Sequence, residues 1–454
     1  MAKRAIVIGG SIGGLLAARV LADHFGEVLV LDRDGPGDAA EARKGVPQGR
    51  HVHCLLAGGS AAIGEIFPGI FESLTAEGAR PTDMAEDVAW FNAGTWRLQY
   101  KSGIRIYVQS RPLLEREIRR HASACPKIVQ RFNTNVSGLV IDAARGEVTA
   151  LRTEQETIEA DLVLDCSGRG TKTPEWLEEA GFPPPPTTRI SIDVGYATQL
   201  FRSRSDRSWP WHTLLIQAQP PGGTRYGAIF RIENDILQVT LVGQFRDYPP
   251  NDAEGFLRFA QSLDHPALFN ALREAEPIGP VQAFRFPANH WRHYERLQRF
   301  PGRFLVLGDA MCSVNPVYGQ GMTTAALEAL ALRQTLEESR GQDGEKTLAR
   351  RYFRRAGKIA ALAWTLAAGS DLSYPQAVGE RPPGHALLIW YVGRVLALAS
   401  YDPVVLAHWI RVTNMQRPIA HLLAPPVMRR VLARTLWGGR SLPVEEPLRA
   451  LAMS

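Results

Sequence analysis

The sequence predicts an α/β fold in three parts: a domain built on a parallel sheet, an inserted β-rich domain and a C-terminal helical region. Two glycine-rich turns predict the first part, because each follows a short apolar strand and opens a helix. Strand-like stretches between residues 189 and 244 predict the second part, and a four-proline segment at 183–186 marks its start. From about residue 346 onward the chain is predicted to be helical.

The first glycine-rich turn lies near the N-terminus. Residues 5–8 are an apolar run that predicts a buried parallel strand, and residues 15–23 predict a helix. Glycines in the turn between them let the backbone approach a pyrophosphate, which the amides at a helix N-terminus can bind. The next predicted strand, Glu27–Leu31, ends at Asp32, whose carboxylate can accept hydrogen bonds from ribose hydroxyls. Ser11 replaces the middle glycine of the usual pattern, so this turn alone leaves a dinucleotide site and an ordinary glycine-rich turn both open.

The second glycine-rich turn decides between these interpretations. An apolar strand at 304–307 runs into Asp309, and a turn at 319–321 opens an alanine-rich helix over 323–336. The carboxylate can bind the ribityl hydroxyls of a flavin. The amides at the start of the helix can face the pyrimidine end of its ring, where negative charge accumulates on reduction. Together the two turns predict FAD held at both ends.

These residues resemble, over roughly residues 1–345, the p-hydroxybenzoate-hydroxylase-like flavoprotein monooxygenases. The segments that carry the resemblance are residues 9–14, 32–33, 110–111, 161–168 and 308–321. Residues 43–53, 315–322 and 370–375 are similar to a narrower group, the flavin-dependent epoxidases of polyether biosynthesis of the lasalocid and monensin type. The resemblance implies a Rossmann-like FAD-binding domain of the glutathione-reductase type. It also implies dioxygen as a substrate and a flavin C4a-hydroperoxide as the oxidant.

The motifs and the resemblance predict a set of cofactor-binding residues, but no catalytic residue and no metal site. The predicted cofactor-binding residues are Gly9, Ser11, Ile12, Gly13, Gly14, Asp32, Arg33, Arg43, Gly45, Val46, Arg111, Val136, Ser167, Gly168, Asp309, Pro316, Gly319, Gln320, Gly321 and Met322.

Domain boundaries follow from the same segments. The discontinuous FAD-binding domain is predicted over residues 1–85, 104–182 and 285–345. The substrate-binding β-sheet domain is predicted over 86–103 and 183–284, and the C-terminal helical region over 346–454. Residues 137–152 and 154–165 are expected to pair with each other as strands.

One departure from the family's pattern bears on the electron donor. The family usually has an Asp-Gly pair after the strand that here leads into residues 164–168, and Ser167 occupies the position of that aspartate. The pair is associated with both FAD and the nicotinamide cofactor. Its loss leaves two donors open: NAD(P)H directly, or a separate flavin reductase as a partner.

Composition and charge argue against several classes of protein. The net charge of +6 is mild and spread along the chain, which argues against nucleic acid as a partner. Four cysteines lie far apart, which argues against a zinc site and favours a cytoplasmic protein. No apolar run reaches the ~18 residues of a membrane span. The apolar stretch at 387–398 can touch a membrane surface, cover an apolar tunnel or pack in the interior.

The sequence as a whole predicts a FAD-dependent monooxygenase that epoxidises, or hydroxylates, an apolar polyene or polyketide-like small molecule. An alkene loses no proton on epoxidation, whereas phenol hydroxylation favours a base. The sequence identifies no such base, and His51 and His53 can either line the flavin or pack as ordinary histidines. Two alternatives stay open: a FAD-dependent reductase of isoprenoid double bonds, and a redox-neutral FAD-binding cyclase of a natural-product pathway.

Overall fold

The protein is described by a computed structural model that covers residues 3–36, 47–203, 209–339 and 342–437. Its strands are β1 (Arg4–Ile8), β2 (Glu27–Leu31), β3 (Arg80–Asp83), β4 (Val88–Asn92), β5 (Thr95–Trp96), β6 (Arg105–Val108), β7 (Ile128–Arg131), β8 (Val136–Asp142), β9 (Glu147–Thr153), β10 (Thr157–Glu159), β11 (Leu162–Asp165), β12 (Thr187–Ser203), β13 (Thr213–Ile216), β14 (Arg225–Arg231), β15 (Ile236–Gly243), β16 (Ala275–Arg292), β17 (Phe304–Val306) and β18 (Cys312–Ser313). Its helices are α1 (Ile12–Leu21), α2 (Ala57–Ile66), α3 (Ile70–Ala76), α4 (Arg111–Ser123), α5 (Thr173–Glu179), α6 (Ala253–Gln261), α7 (Ala267–Arg273), α8 (Gly321–Glu338), α9 (Gln342–Asp371), α10 (His385–Leu398), α11 (Pro403–Thr413) and α12 (Pro425–Trp437).

Five strands form a parallel sheet in the order β17-β11-β1-β2-β7. Strands β1, β2 and β11 are almost wholly buried apolar runs, as expected of a parallel sheet that is covered on both faces. Helices α1 and α8 pack against each other, and α1 also packs on β1 and β2. Because the strands are parallel, the carboxyl ends of β1, β2, β11 and β17 meet along one edge, where ligands of such sheets bind.

A second sheet of eight strands has the order β18-β16-β12-β15-β14-β13-β4-β5 and is antiparallel except where β13 lies beside β4. One face of this large sheet packs on α6 and α7 around Trp211, Leu241 and Phe256. The other face turns toward the C-terminal helices. Trp90 and Phe230 of the large sheet share a buried core with those helices. The part of the chain that the structure describes contains no helix both long enough and apolar enough to cross a membrane.

Two segments differ from the simplest interpretation of the sequence. Strand β16 continues unbroken from Ala275 to Arg292, so it passes residue 284, where the sequence places the end of the substrate-binding domain. The prediction that residues 154–165 form one strand is wrong. The β10 part pairs with β9, whereas β11 lies between β1 and β17 in the parallel sheet, because its fully buried apolar run needs cover on both faces.

The turn between β1 and α1 allows a direct test. A Cβ on Gly14 would lie 1.8 Å from the carbonyl oxygen of Gly9, so we expect Gly14→Ala to lower the free energy of unfolding by about 3 kcal/mol. Gly13→Ala is the matched control. Its Cβ would lie 3.3 Å from the nearest side-chain atom, on Leu307, so we expect a loss below about 1 kcal/mol. Urea unfolding measures both variants, and equal losses would contradict the geometry of the turn.

Candidate active site

The turn that precedes α1 leaves no room for side chains at Gly9 and Gly10, so its backbone can approach an anion closely. Gly9 has a φ of 101°, and a Cβ on Gly10 would lie 2.7 Å from Oδ2 of Asp32. The carboxylate that follows β2 therefore rests against the turn. Helix α1 has no acidic residue in its first turn, so no side chain of that turn neutralises the partial positive charge of its N-terminus.

Ser11 and Arg111 place polar groups at the same helix end. The hydroxyl of Ser11, the N-cap residue, accepts a hydrogen bond of 3.1 Å from Nη2 of Arg111. Arg111 is the first residue of α4, and the hydroxyl of Ser110 caps that helix by accepting from the amide of Leu113. Nε of Arg111 donates to Glu115 at 3.3 Å. The cap of α4 therefore positions a guanidinium beside the N-terminus of α1.

Asp309 and Gly321 face each other in the second turn, since a Cβ on Gly321 would lie 3.6 Å from Oδ1 of Asp309. Burial raises the pKa of Asp309 above its ordinary value, against the opposing charges of Arg169, Arg111 and Arg292. Arg111 is thus electrostatically coupled to the carboxylate of the second turn and hydrogen-bonded to the first. The two turns form one cleft.

Glu328 of α8 anchors the second turn through a hydrogen bond to its backbone. Its Oε2 accepts a 2.6 Å hydrogen bond from the amide of Gly308, and the side chain is fully buried. Burial raises the pKa of Glu328 well above its ordinary value, and the nearby charge of Asp309 raises it further, whereas the hydrogen bond from Gly308 lowers it. Glu328 anchors the end of β17 to α8.

The start of α8 and the end of β11 complete the cleft. Gly319 has a φ of 68°, and the first turn of α8 contains no acidic residue. Gln320 is the N-cap of α8, and its buried Oε1 has no hydrogen-bond partner among the described residues. After β11, the amide of Ser167 donates to Asp165 at 2.8 Å, whereas no residue that the structure describes bonds to its buried hydroxyl. A Cβ on Gly168 would meet nothing within 4 Å, so this backbone borders open space.

These features fit FAD. The cleft offers two helices with no acidic residue in the first turn, carboxylates after β2 and β17, and buried oxygen atoms that lack a partner within the described part of the chain. Asp32 would hold the ribose, Ser11 and Arg111 the pyrophosphate, Asp309 the ribityl chain, and the N-terminus of α8 the pyrimidine end of the ring.

The other predicted residues are placed as follows. Ile12 and Gly13 lie in the first turn of α1, Met322 in that of α8 and Pro316 in the loop before it, Arg33 is exposed after Asp32, and Val136 begins β8. Arg43, Gly45 and Val46 lie outside the described residues.

A cavity of about 530 Å³ lies between the large sheet and the C-terminal helices. Its volume is typical of a site for a small molecule. Alternate residues of the sheet strands line one wall, and apolar residues of α10, including Leu388, Val392 and Leu396, line the opposite wall. The loop from Pro316 to Gln320 also lines it, so the cavity adjoins the predicted flavin site.

Helix α10 is the wall of the cavity on the solvent side. Leu388 and Val392 line the cavity, whereas Leu387 and Trp390 on the same helix are 68% and 46% exposed. The helix covers an apolar cavity, as one interpretation of residues 387–398 predicts. Contact with a membrane surface stays a prediction.

The buried carboxylate of Asp371 connects the loop before α8 to the C-terminal helical region. Asp371, the last residue of α9, accepts hydrogen bonds from Nδ2 of Asn289 at 2.8 Å, from Nδ2 of Asn315 at 3.1 Å and from the hydroxyl of Tyr318 at 2.8 Å. The hydroxyl of Tyr196 donates to Oδ1 of Asn315 at 2.8 Å. Burial raises the pKa of Asp371 to about 6, although the three hydrogen bonds lower it. At pH 7 the carboxylate is mostly ionised.

His51 and His53, which lie in the segment before α2, are neutral at pH 7. Burial, with the charge of Arg50, lowers the pKa of His51 to about 4, and its Nδ1 lies 2.7 Å from Oγ1 of Thr198. Burial, with the charge of Arg111, lowers the pKa of His53 to about 3. Nδ1 of His53 donates to the carbonyl oxygen of His51 at 2.9 Å. His53 therefore stands near Arg111 and the cleft, while His51 packs under the large sheet.

Sequence reasoning missed Asp371, Tyr318 and Tyr196 as functional residues. One signal was present for Asp371. It is the only acidic residue in the apolar, alanine-rich stretch 359–371, and a carboxylate in such a helix predicts burial. Tyr318 lies inside the segment 315–322 that carries the resemblance, but nothing there assigns it a role, and nothing local marks Tyr196, because its partner Asn315 is distant in sequence.

A family model described as an FAD binding domain matches residues 3–367. The chain belongs to the FAD binding domain family. Membership confirms the predicted fold class, FAD as the cofactor and the predicted enzyme class, a FAD-dependent monooxygenase. The narrower resemblance to polyether epoxidases stays a prediction.

Individual relatives agree with this family. Protein Rv3254 of Mycobacterium tuberculosis is 32% identical, over 95% of this chain and 94% of that protein. Kynurenine 3-monooxygenase of Salinispora arenicola is 25% identical, over 74% of this chain and 72% of that protein. Flavin-dependent brominase Bmp2 shares the fold, with a TM-score of 0.66, 15% identity and coverage of 96% and 99% of the two chains.

Asp309→Asn should weaken FAD binding about 10- to 150-fold, because it removes the charge from a hydrogen-bonding group worth about 1.5–3 kcal/mol. Asp23→Asn, at the distant end of α1 and paired with Arg19, removes the same charge away from the cleft and should change affinity little. Quenching of FAD fluorescence on titration measures both variants. Equal affinity of Asp309→Asn and the wild type would remove Asp309 from the site.

Asp371 should make stability depend on pH. Its pKa rises from an ordinary 3.8 to about 6 in the folded protein, so the folded state binds the proton more tightly. This contribution is present below the unfolded pKa and is lost as pH rises through the folded pKa. Relative to Asp371→Asn, the wild type should lose about 2–3 kcal/mol of unfolding free energy between pH 4 and pH 7. Parallel pH profiles of the two proteins would contradict the raised pKa.

Proposed function

We propose that this member of the FAD binding domain family inserts one oxygen atom from dioxygen into a largely apolar small molecule, and that epoxidation of a polyene or polyketide-like alkene is its main reaction. The observation that carries the proposal is the cavity of about 530 Å³, which is walled by apolar side chains and shares the loop Pro316–Gln320 with the predicted flavin site. The similarity of residues 315–322 to the polyether epoxidases supports the choice of reaction.

The chain's own part in an epoxidation is to bind, orient and exclude water. Reduced FAD supplies the electrons that convert dioxygen into an electrophilic oxidant. The apolar faces of α10 and α11 and the side chains of the large sheet would hold the alkene beside the loop and keep bulk water away. Because an alkene loses no proton, this reaction requires no base from the chain.

Hydroxylation of a hydroxyl-bearing ring is the second candidate, and the Tyr318–Asp371 pair favours it. Tyr318 lines the cavity and donates its hydroxyl hydrogen to Asp371, whose pKa of about 6 leaves it ionised at pH 7. A substrate hydroxyl that donated to the oxygen of Tyr318 could pass its proton on to Asp371. Such general-base assistance is worth on the order of 100-fold or more in rate.

A separate flavin reductase is the proposed electron donor. Ser167 occupies the position of the family's aspartate, and its amide is engaged with Asp165. A serine cannot supply the negative charge of an aspartate. More product should therefore form with reduced free FAD than with NADPH or NADH.

The test is mass spectrometry of products formed from a panel of polyenes and polyketide phenols, with photoreduced FAD and labelled dioxygen. We expect a product that carries one labelled oxygen atom, in larger amount with reduced FAD than with NADPH. Addition of two hydrogen atoms would indicate the reductase instead, and an isomer of unchanged mass would indicate the cyclase. Either result would overturn the proposal.

Tyr318→Phe separates the two candidate reactions. Hydroxylation should slow on the order of 100-fold in this variant, because the path to Asp371 is cut, whereas epoxidation should slow by less than about tenfold. Unlabelled product from both proteins would exclude oxygen insertion from dioxygen altogether.

A further inference from the structure

A buried arginine lies behind the cavity wall, and no residue that the structure describes supplies a counter-ion for it. Arg97 follows β5 and is 3% exposed. Its Nη1 donates to the hydroxyl of Ser400 at 2.6 Å and to the carbonyl oxygen of Leu396, and its Nη2 donates to Oδ1 of Asn92 at 2.8 Å. Burial lowers the pKa of Arg97 only to about 10, so the guanidinium is charged at pH 7.

This charge has only neutral partners. Among the described residues no carboxylate forms an ion pair with Arg97, and its buried Nε has no hydrogen-bond partner. A buried cation without an anion is costly, because neutral dipoles replace only part of the lost hydration. A negative charge placed within reach of this region would be stabilised.

A chain of hydrogen bonds leads from Arg97 through Asn92 to Gln217 at the cavity, and Trp90 donates to the same side chain of Gln217. Since Oδ1 of Asn92 accepts from Arg97, its Nδ2 is fixed as a donor, and it donates to Oε1 of Gln217. Nε1 of Trp90, which can only donate, also donates to Oε1 of Gln217 at 3.0 Å. The orientation of the Gln217 amide is therefore determined.

The amide nitrogen of Gln217 is therefore a hydrogen-bond donor that faces the cavity. Gln217 lines the cavity, and no acceptor in the described part of the chain takes a hydrogen bond from its Nε2. Each hydrogen bond back to Arg97 polarises this amide in the same sense. The group offers two N–H donors and a nearby positive charge, which is the chemistry that recognises a carboxylate.

The position of Gln217 sets the geometry of the ligand. It follows β13, three strands away from Tyr196 on β12, which corresponds to roughly 14 Å across the sheet. The hydroxyl of Tyr196 is bound to Asn315 of the loop that contains Tyr318, so three strand spacings separate the donor from the residue that anchors this loop.

We infer that the cavity takes an amphipathic acid whose carboxylate is bound by Gln217 under the field of Arg97, with its apolar, oxidisable part extending along the cavity toward the loop that contains Tyr318. The inference rests on the proposed function, because it concerns the substrate of the same site.

The test uses cis-parinaric acid, a fluorescent polyene acid, and its methyl ester, which has the same chain and no charge. Binding is followed by fluorescence with oxidised FAD present and no reductant, so no turnover occurs. At pH 8 the wild type should bind the acid about tenfold or more tightly than the ester. Equal affinities, or no binding of either probe, would overturn the inference.

Gln217→Glu is the sharpest variant, because it exchanges the donor nitrogen for an oxygen and keeps the acceptor that Trp90 and Asn92 need. We expect it to abolish the preference for the acid and to leave ester affinity within about threefold. Arg97→Met, which removes the charge, should likewise reduce the acid-to-ester ratio about tenfold. Gln219→Glu is the matched control. It adds the same charge at an exposed position of the cavity rim, where salt screens it, and should change the ratio by less than about threefold.

The outcomes separate this inference from the proposed function. A preference for the acid that Gln217→Glu abolishes supports the carboxylate site whatever the products of turnover are. Retention of the full preference in both Gln217→Glu and Arg97→Met would overturn it, even if labelled oxygen were found in products. Circular dichroism of each variant identifies any that fails to fold, and the other variant then decides.

Discussion

The carboxylate of Asp371 is where the three parts of the molecule are joined. Its hydrogen-bond donors come from β16 of the large sheet, through Asn289, and from the loop before α8, through Asn315 and Tyr318. Asp371 itself ends the first helix of the C-terminal region. Asp371 therefore helps to fix the position of the cavity relative to the predicted flavin site. A group buried with three donors holds this geometry because each donor would otherwise lack a partner.

The charged groups around the site differ in sign and in the partners that they contact. Burial raises the pKa of both carboxyls at the second turn, Glu328 and Asp309, and Asp309 is the one that faces Gly321 and the arginines of the cleft. Arg111 reaches both turns from the start of α4. Beside the cavity a cation, Arg97, donates hydrogen bonds to neutral groups. The cleft thus combines carboxylates with arginines, whereas Arg97 has no carboxylate partner among the described residues.

The parts of the fold that the sequence predicts are those whose chemistry is local. Both glycine-rich turns, the strands before them and the helices after them depend on consecutive residues, and α8 begins where Gly321 permits it. The network of Asp371 was not predictable in this way, because its partners lie 82, 56 and 53 positions away. Arg97 is a stronger case, since it bonds to residues 299 and 303 positions distant. The division of residues 154–165 between two sheets likewise depends on which strands arrive later in the chain.

The wall formed by α10 has a consequence for access to the cavity. Of the fourteen residues of this helix, only Val395 and Leu398, both near its C-terminal end, are fully buried. The first half contains no buried residue, so we expect its local unfolding free energy to lie below that of the parallel sheet. Opening of the first turns of α10 would then widen the cavity for a bulky ligand, and exchange with solvent would depend on local stability at one helix end.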